Sequence, residues 1–198
     1  GEHFGESLGA GFDQRLFQTQ ETESVAYFGQ LDYEINDKLI LTAGVRWTND
    51  EKDFTGFQAY QGAARYRYPF NFDVPHIALD NDWSETTLKL GLAYHVTDDM
   101  MFFGSYAEGF KSGGFYGVNQ NIRDFDRNQY DPETAESWEI GMKSQWMENR
   151  VQLNVSAFLN DFKDKQDSNV VRDEDTNTVA TVWENQSSVQ YWGVELES

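Results

Sequence analysis

The stretch Ser24-Val25-Ala26-Tyr27-Phe28-Gly29-Gln30-Leu31-Asp32-Tyr33-Glu34-Ile35-Asn36-Asp37-Lys38-Leu39-Ile40-Leu41-Thr42-Ala43-Gly44-Val45-Arg46-Trp47-Thr48 decides the fold. Val25, Tyr27, Gly29, Leu31, Tyr33 and Ile35 share one parity; Ala26, Phe28, Gln30, Asp32 and Glu34 share the other. That is the period of a strand, since a helix would bring its apolar residues back at three and four. Asn36-Asp37-Lys38 is a turn by composition. Beyond it Leu39, Leu41, Ala43, Val45 and Trp47 alternate with Thr42, Gly44, Arg46 and Thr48. Ile35 set opposite Leu39 pairs Tyr27 with Trp47 across the hairpin.

The same pattern recurs along the chain. A third strand carries Leu88, Leu90, Leu92, Tyr94 and Val96, and a fourth runs from about Met101 to Phe110. A fifth carries Trp138, Ile140, Met142, Ser144 and Trp146, a sixth Val151 to Leu159, and a seventh begins near Val189 with Trp192, Val194 and Leu196. Tight turns at Asn36–Lys38, Thr97–Asp99 and Met147–Asn149 alternate with long links at about Asp53–Asp82, Ser112–Pro132 and Asp167–Ser187. Strict alternation of short and long connections is the sidedness of an outer-membrane barrel.

The apolar parity is free of charge, while Arg46, Lys89, Glu139 and Lys143 fall on the other. In a soluble meander the charged face meets water and the apolar face a second sheet. In a transmembrane barrel the apolar face meets lipid and the charged face lines the lumen. Alternation alone fits both. For the fourth strand, a four-residue turn puts Met101, Phe103, Ser105 and Ala107 outward and turns Glu108 inward, opposite Lys89. That register is preferred because a carboxylate facing lipid is costly.

Composition narrows the classes. Fifteen basic against 34 acidic residues give a net charge of −19, which argues against nucleic acid as a partner. There is no Cys and there are three His, so disulfides, thiolate chemistry and Cys-ligated metals are excluded. Aromatics at 16% argue against disorder. No apolar run reaches the length of a spanning helix, which leaves barrel strands possible. Gly1 to Ala10 has no apolar core of a signal peptide.

Four segments, taken in order, resemble the barrel of TonB-dependent outer-membrane receptors. They are Ser24–Gln30 with Leu41–Trp47; Phe103-Gly104-Ser105-Tyr106-Ala107-Glu108-Gly109-Phe110-Lys111-Ser112-Gly113-Gly114-Phe115; Tyr130-Asp131-Pro132-Glu133 with Trp138-Glu139-Ile140-Gly141-Met142-Lys143-Ser144; and Tyr191-Trp192-Gly193-Val194-Glu195-Leu196-Glu197. The resemblance implies an all-β antiparallel meander forming about seven strands of a barrel of about 22. It also implies an N-terminal plug that contacts TonB across the periplasm, a bacterial outer-membrane location in contact with lipid, and uptake of a scarce nutrient complex, foremost a ferric siderophore. Residues 1–198 then read as a partial barrel domain, with the plug and the remaining strands absent. The alternative is a small β-barrel or β-sandwich acting as a surface or adhesion protein without transport. Where the haem-receptor branch of the family has Phe-Arg-Ala-Pro, this chain has Gly-Phe-Lys-Ser.

Candidate sites follow. Arg65, Tyr66, Arg67 and Tyr68 lie in the link after the second strand. They read either as a substrate-binding surface that stacks on an aromatic ligand and pairs with its acidic groups, or as a packed aromatic strand above the membrane. Arg46, Lys89, Glu108, Glu139 and Lys143 read as lumen-facing. Asp173, Asp175, Asn177 and Glu184 have the oxygen spacing of a Ca²⁺ loop, but Thr178 stands where that loop needs Gly, and an acidic hairpin tip is the better reading. Gly109, Gly113 and Gly114 around Lys111 are not followed by the residues of a phosphate loop. No nucleophile–base–orienter set emerges, so neither catalysis nor a cofactor is expected. Trp47 and Trp138 should mark an external aromatic girdle, and Tyr33 and Trp146 a periplasmic one.

Overall fold

A computed structural model describes residues 12–62, 77–116, 129–148, 150–173, 178–186 and 188–198. The strands are β1 (Phe12–Asn36), β2 (Leu39–Gly62), β3 (Ile77–Thr97), β4 (Met100–Lys111), β5 (Gly114–Phe115), β6 (Gln129–Tyr130), β7 (Glu133–Trp146), β8 (Val151–Lys163), β9 (Gln166–Asp173), β10 (Thr178–Asn185) and β11 (Val189–Glu197). Seven form one sheet in the order β1-β2-β3-β4-β7-β8-β11, with every pair antiparallel. The pairs β5–β6 and β9–β10 are separate two-stranded ladders. The meander expected from the alternation is therefore present, and within the described residues the sheet does not close.

Its apolar face is uncovered. Leu31 is 67% exposed, Ile140 67% and Val194 69%, and Trp47, Trp138 and Trp146 are 39%, 52% and 49% exposed. A soluble sandwich would have buried these three rings between sheets. Tyr27 pairs with Trp47 and stacks on it at 5.9 Å, as the hairpin register requires. Only the last rung slips, where Asn36 faces Leu39. Ser144 interrupts the apolar parity of β7, but its Oγ is satisfied locally. It donates to the Leu153 carbonyl and accepts from the Trp146 indole N–H.

The rungs place the aromatics at two levels. Trp138 shares a rung with Tyr106, Leu90 and Ala43, three strand steps away and four residues below Trp47. Tyr33 shares a rung with Leu41, Leu92, Gly104 and Ile140, four steps away, and Trp146 lies six residues beyond Ile140. When strands tilt by about 45°, a sideways step of about 4.8 Å climbs about 3.4 Å, and one residue spans about 2.3 Å of height. A level ring then shifts by about 1.5 residues per strand. Both aromatic pairs fit that slope with the same sense, so one tilt levels Trp47 with Trp138 and Tyr33 with Trp146.

Two expectations are corrected. First, β4 does not take the four-residue turn. Lys89 faces Ala107 and Leu90 faces Tyr106, so Phe102, Tyr106 and Glu108 share the apolar face while Met101, Phe103 and Ala107 join Lys89. The expected inward Lys89–Glu108 pair does not form. The reason is depth. Glu108 sits one rung above Tyr106, whose ring packs on Trp138 at 4.4 Å, so it lies at the girdle, where an outward charge costs little. Its carboxylate accepts from the Tyr106 hydroxyl at 2.7 Å and from the Leu88 N–H at 2.8 Å, just where the β3–β4 ladder ends.

Second, both ends of the link expected at about Asp53–Asp82 are strand. β2 continues to Gly62, β3 begins at Ile77, and β1 already begins at Phe12. Above the girdle both faces of these strands are wet or packed, and the alternation inverts. Glu21, Asp53 and Asp80 line up on one outward rung and Glu23, Glu51 and Asp82 on the next, all exposed, while Phe54 and Trp83 turn inward. Like charges directly opposite oppose pairing. Here, exposure to water and salt screens them.

Depth makes a measurable distinction. In the intact barrel refolded into bilayers, Met142→Arg, midway between Trp138 and Trp146 on the outward parity, should cost about 2–4 kcal/mol. Thr86→Arg, on the Trp47 rung, should cost no more than about 1 kcal/mol. Equal costs in denaturant titration would contradict the assigned levels.

Candidate functional site

The inward face above the girdle, on the long-connection side, is where side chains converge. β2 supplies Lys52 and Phe54, and β3 supplies Leu79 and Trp83 by the same parity. Beyond Lys111 the chain leaves β4 through Ser112 and Gly113 and pairs as β5 with β6. This lays Phe115 against the wall, 6.0 Å from Phe54 and 5.7 Å from Trp83, ring centre to centre. Phe54, Trp83 and Phe115 are the buried cluster of the described residues, with Leu79 and Phe110 packed on it.

Glycine is required at the crossing. A Cβ on Gly113 would come within 2.5 Å of both Trp83 Cε2 and the Tyr130 carbonyl oxygen. Because the backbone lies directly on the indole, Lys52 can reach it: Nζ donates to the Gly113 carbonyl at 2.6 Å and stands 5.5 Å over the Trp83 ring. Desolvation holds the Lys52 ammonium below the usual lysine range. Lys111 adds to this, and Asp50 acts against it. Burial likewise raises the Tyr130 phenol.

Further out, Trp183 of β10 packs on Tyr130 at 5.9 Å and on Tyr116 at 6.3 Å. Lys111 and Glu133 approach to 3.9 Å across the β4–β7 rung. The result is a stepped inward surface of aromatic rings, backbone carbonyls and one desolvated ammonium. It is suited to stacking and charge-assisted hydrogen bonding rather than to proton transfer.

The residues singled out from sequence fall as follows. Arg65, Tyr66, Arg67 and Tyr68 lie between Gly62 and Ile77, outside the described residues. Arg46, Lys89, Glu139 and Lys143 share the face opposite the apolar one. There Arg46 stands 5.9 Å over Phe28 and Lys143 5.6 Å over Phe103. Glu108 lies on the other face. Asp175 and Asn177 are outside the described residues. Asp173 and Glu184 are set apart by an extended hairpin: Asp173 faces Thr178 while Glu184 faces Asp167, six residues along. That is about 20 Å of strand, so Glu184 cannot complete a Ca²⁺ loop with Asp173, and it accepts from Asn169 Nδ2 instead. Among the described residues, no group of three or more His, Asp or Glu could hold a metal ion.

Lys52, Trp83, Gln166 and Asn185 were not singled out from sequence. A parity signal marks Trp83 and its neighbour Phe54: both are large aromatics on the polar parity of their strands, where lipid cannot be the partner. No local signal marks the amides.

An antiparallel sheet with one apolar, aromatic-banded face, short turns at one end and long excursions at the other is a wall of an outer-membrane-type β-barrel. Residues 3–198 match the family described as TonB dependent receptor-like, beta-barrel. The chain belongs to that family. It is 27% identical over 157 residues to the probable TonB-dependent siderophore receptor PiuA of Acinetobacter baumannii, a match covering 78% of this chain and 19% of that receptor. A second relative, the ferric-pyoverdine 358 receptor of Pseudomonas putida, is 23% identical over 133 residues, or 67% of this chain and 14% of that receptor. The fold is also that of the ferric yersiniabactin uptake receptor FyuA of Yersinia pestis, with a TM-score of 0.66 at 20% identity over 93% of this chain and 25% of that one. The chain thus spans about a fifth of the length of such receptors.

Gly113→Val in the full receptor should force the crossing off Trp83, lowering stability by about 1–3 kcal/mol and shifting tryptophan emission to the red. Gly29→Val is the control, because nothing stands within 4 Å of a Cβ there. It should change stability by no more than about 0.5 kcal/mol.

Proposed function

We propose that this chain forms part of the barrel wall and external vestibule of an outer-membrane receptor that takes up a ferric siderophore by TonB-gated transport. In this reading the process is binding and passage, without catalysis. The observation that carries it is the match to the PiuA siderophore receptor across 78% of the chain. The inward aromatic steps of Phe115, Tyr116, Tyr130 and Trp183, with the Lys52 ammonium beneath, supply the stacking and cationic character that a ferric chelate would use. Arg65 and Arg67 add two guanidiniums in the β2–β3 connection. TonB would be engaged by a plug, as in the family at large.

The test is uptake of radioactive iron by a strain lacking its own siderophore receptors and carrying the full receptor, offered catecholate, hydroxamate and mixed-ligand ferric siderophores in turn. Uptake of at least one, abolished when TonB is deleted, is the expected result. Uptake of cobalamin or a saccharide and of none of the ferric complexes would replace the reading. With the active complex in hand, Arg65→Ala combined with Arg67→Ala should weaken binding by about 1.5–3 kcal/mol for each charged hydrogen bond lost, measured by fluorescence quenching. Unchanged affinity would remove this pair from the site.

A further inference from the structure

The β5–β6 and β9–β10 ladders are not joined to the seven-stranded sheet by ladder bonds, yet they are fastened to it and to each other. Gln166 and Asn185 face each other at the base of the β9–β10 hairpin. Gln166 is only 6% exposed. Its side-chain nitrogen donates to the Ser112 and Asp131 carbonyls, each at 2.9 Å, and reaches the Lys111 carbonyl at 3.5 Å; its backbone N–H donates to Glu133 Oε2 at 3.0 Å. Asn185 Nδ2 donates to the carbonyls of Asp131 and Asp164, each at 2.8 Å, and Asn185 Oδ1 accepts from the Asp131 N–H at 2.7 Å. Gln186 N–H closes the base on the Lys165 carbonyl at 2.7 Å.

These contacts have a common logic. A primary amide carries two donors in one plane and an acceptor, so it can bridge two carbonyls, which a hydroxyl with its single donor cannot, and accept at the same time, which an ammonium cannot. The bridged carbonyls belong to both ends of the β4–β7 connection, at Lys111–Ser112 and at Asp131. A buried backbone acceptor left without a donor is costly. A second set of contacts runs in parallel: Trp183 on Tyr130 and Tyr116, Phe115 on Trp83 and Phe54, and Lys52 on the Gly113 carbonyl.

We propose that Gln166 and Asn185 are positioning residues that fasten the β4–β7 connection and the β9–β10 hairpin into one mechanical unit seated on the β2–β3 wall. Displacement at Trp183 is then shared by Phe115 and the Lys52 contact. The described parts of the two long connections, Ser112–Tyr116 with Gln129–Asp131 and the β9–β10 ladder, present a single surface, and neither moves without the other. This holds whatever the receptor carries.

Hydrogen exchange read by mass spectrometry on the full receptor in detergent tests it without a ligand. In Gln166→Leu, amides of Lys111–Tyr116, Gln129–Glu133 and Thr178–Gln186 should speed up together by about tenfold or more, as for one cooperative opening. Rungs Thr48–Thr55 of β2 should be unchanged. Acceleration confined to Gln166–Asp173 would overturn the proposal. Should Gln166→Leu fail to assemble, Asn185→Ser is read in the same way. Gln166→Asn, which keeps the amide but shortens its reach, should fall between wild type and Leu. Combining Gln166→Leu with Asn185→Ser should add less than about twofold over the stronger single variant if one unit opens. Multiplied effects would mean two independent attachments.

Discussion

A β-strand that passes from hydrocarbon into water keeps its side-chain parity but changes what each face meets. That boundary organises this chain. Within the apolar band the outward parity is Leu31, Val45, Leu90 and Ile140, and the inward parity holds Arg46, Lys89 and Lys143. Above Trp47 the same β2 strand places Glu51 and Asp53 outward and Phe54 inward, and β3 follows with Asp82 and Trp83. Backbone pairing makes the inversion obligatory. The ladder leaves no half-step by which a strand could rotate between bands without a bulge. Aromatic rings therefore serve two purposes on one strand, anchoring in the interface at Trp47 and building a packed inner wall at Phe54, seven residues further along.

The same inversion explains how much was legible. The hairpin register of Tyr27 and Trp47 follows from a short turn and an unbroken alternation, and the structure keeps it. The extents of β1, β2 and β3 were not legible from an apolar-out pattern, because the pattern reverses where the strand leaves lipid. A chain read with one polarity rule stops at Asp53, where the rule fails and the strand does not. Glu108 was misplaced for a related reason. A rule on which way a carboxylate faces ignores depth, and at the girdle an outward carboxylate with Tyr106 and Leu88 as donors is well served. Gln166 was illegible for a different cause. Its partner Ser112 is 54 positions away, in a segment with no shared period.

The net charge of −19 can now be placed. Two rungs of three carboxylates, Glu21–Asp53–Asp80 and Glu23–Glu51–Asp82, face away from the vestibule. On the inward side, Lys111 is matched by Glu133, and Lys52 stands over an indole. Those six carboxylates thus bear on the outside, while the inner parity mixes Asp50, Glu85 and Glu133 with Lys52 and Lys111. Net charge is a poor guide to ligand charge when the sheet has two sides.

The order β1-β2-β3-β4-β7-β8-β11 has a bearing on how such a wall is made. Each strand of the sheet pairs with the one before it along the chain, interrupted only by the two small ladders. Closing a loop costs entropy that grows slowly with its length, and contacts between chain neighbours form fastest. A wall so ordered can lengthen one hairpin at a time. Each new strand finds a template edge already in register, and the unpaired edge at any moment is a single strand's width. The long connections need not be folded for the next strand to be laid down. The mooring of β9–β10 onto Ser112 and Asp131 can wait until the strands on both sides of it are in place.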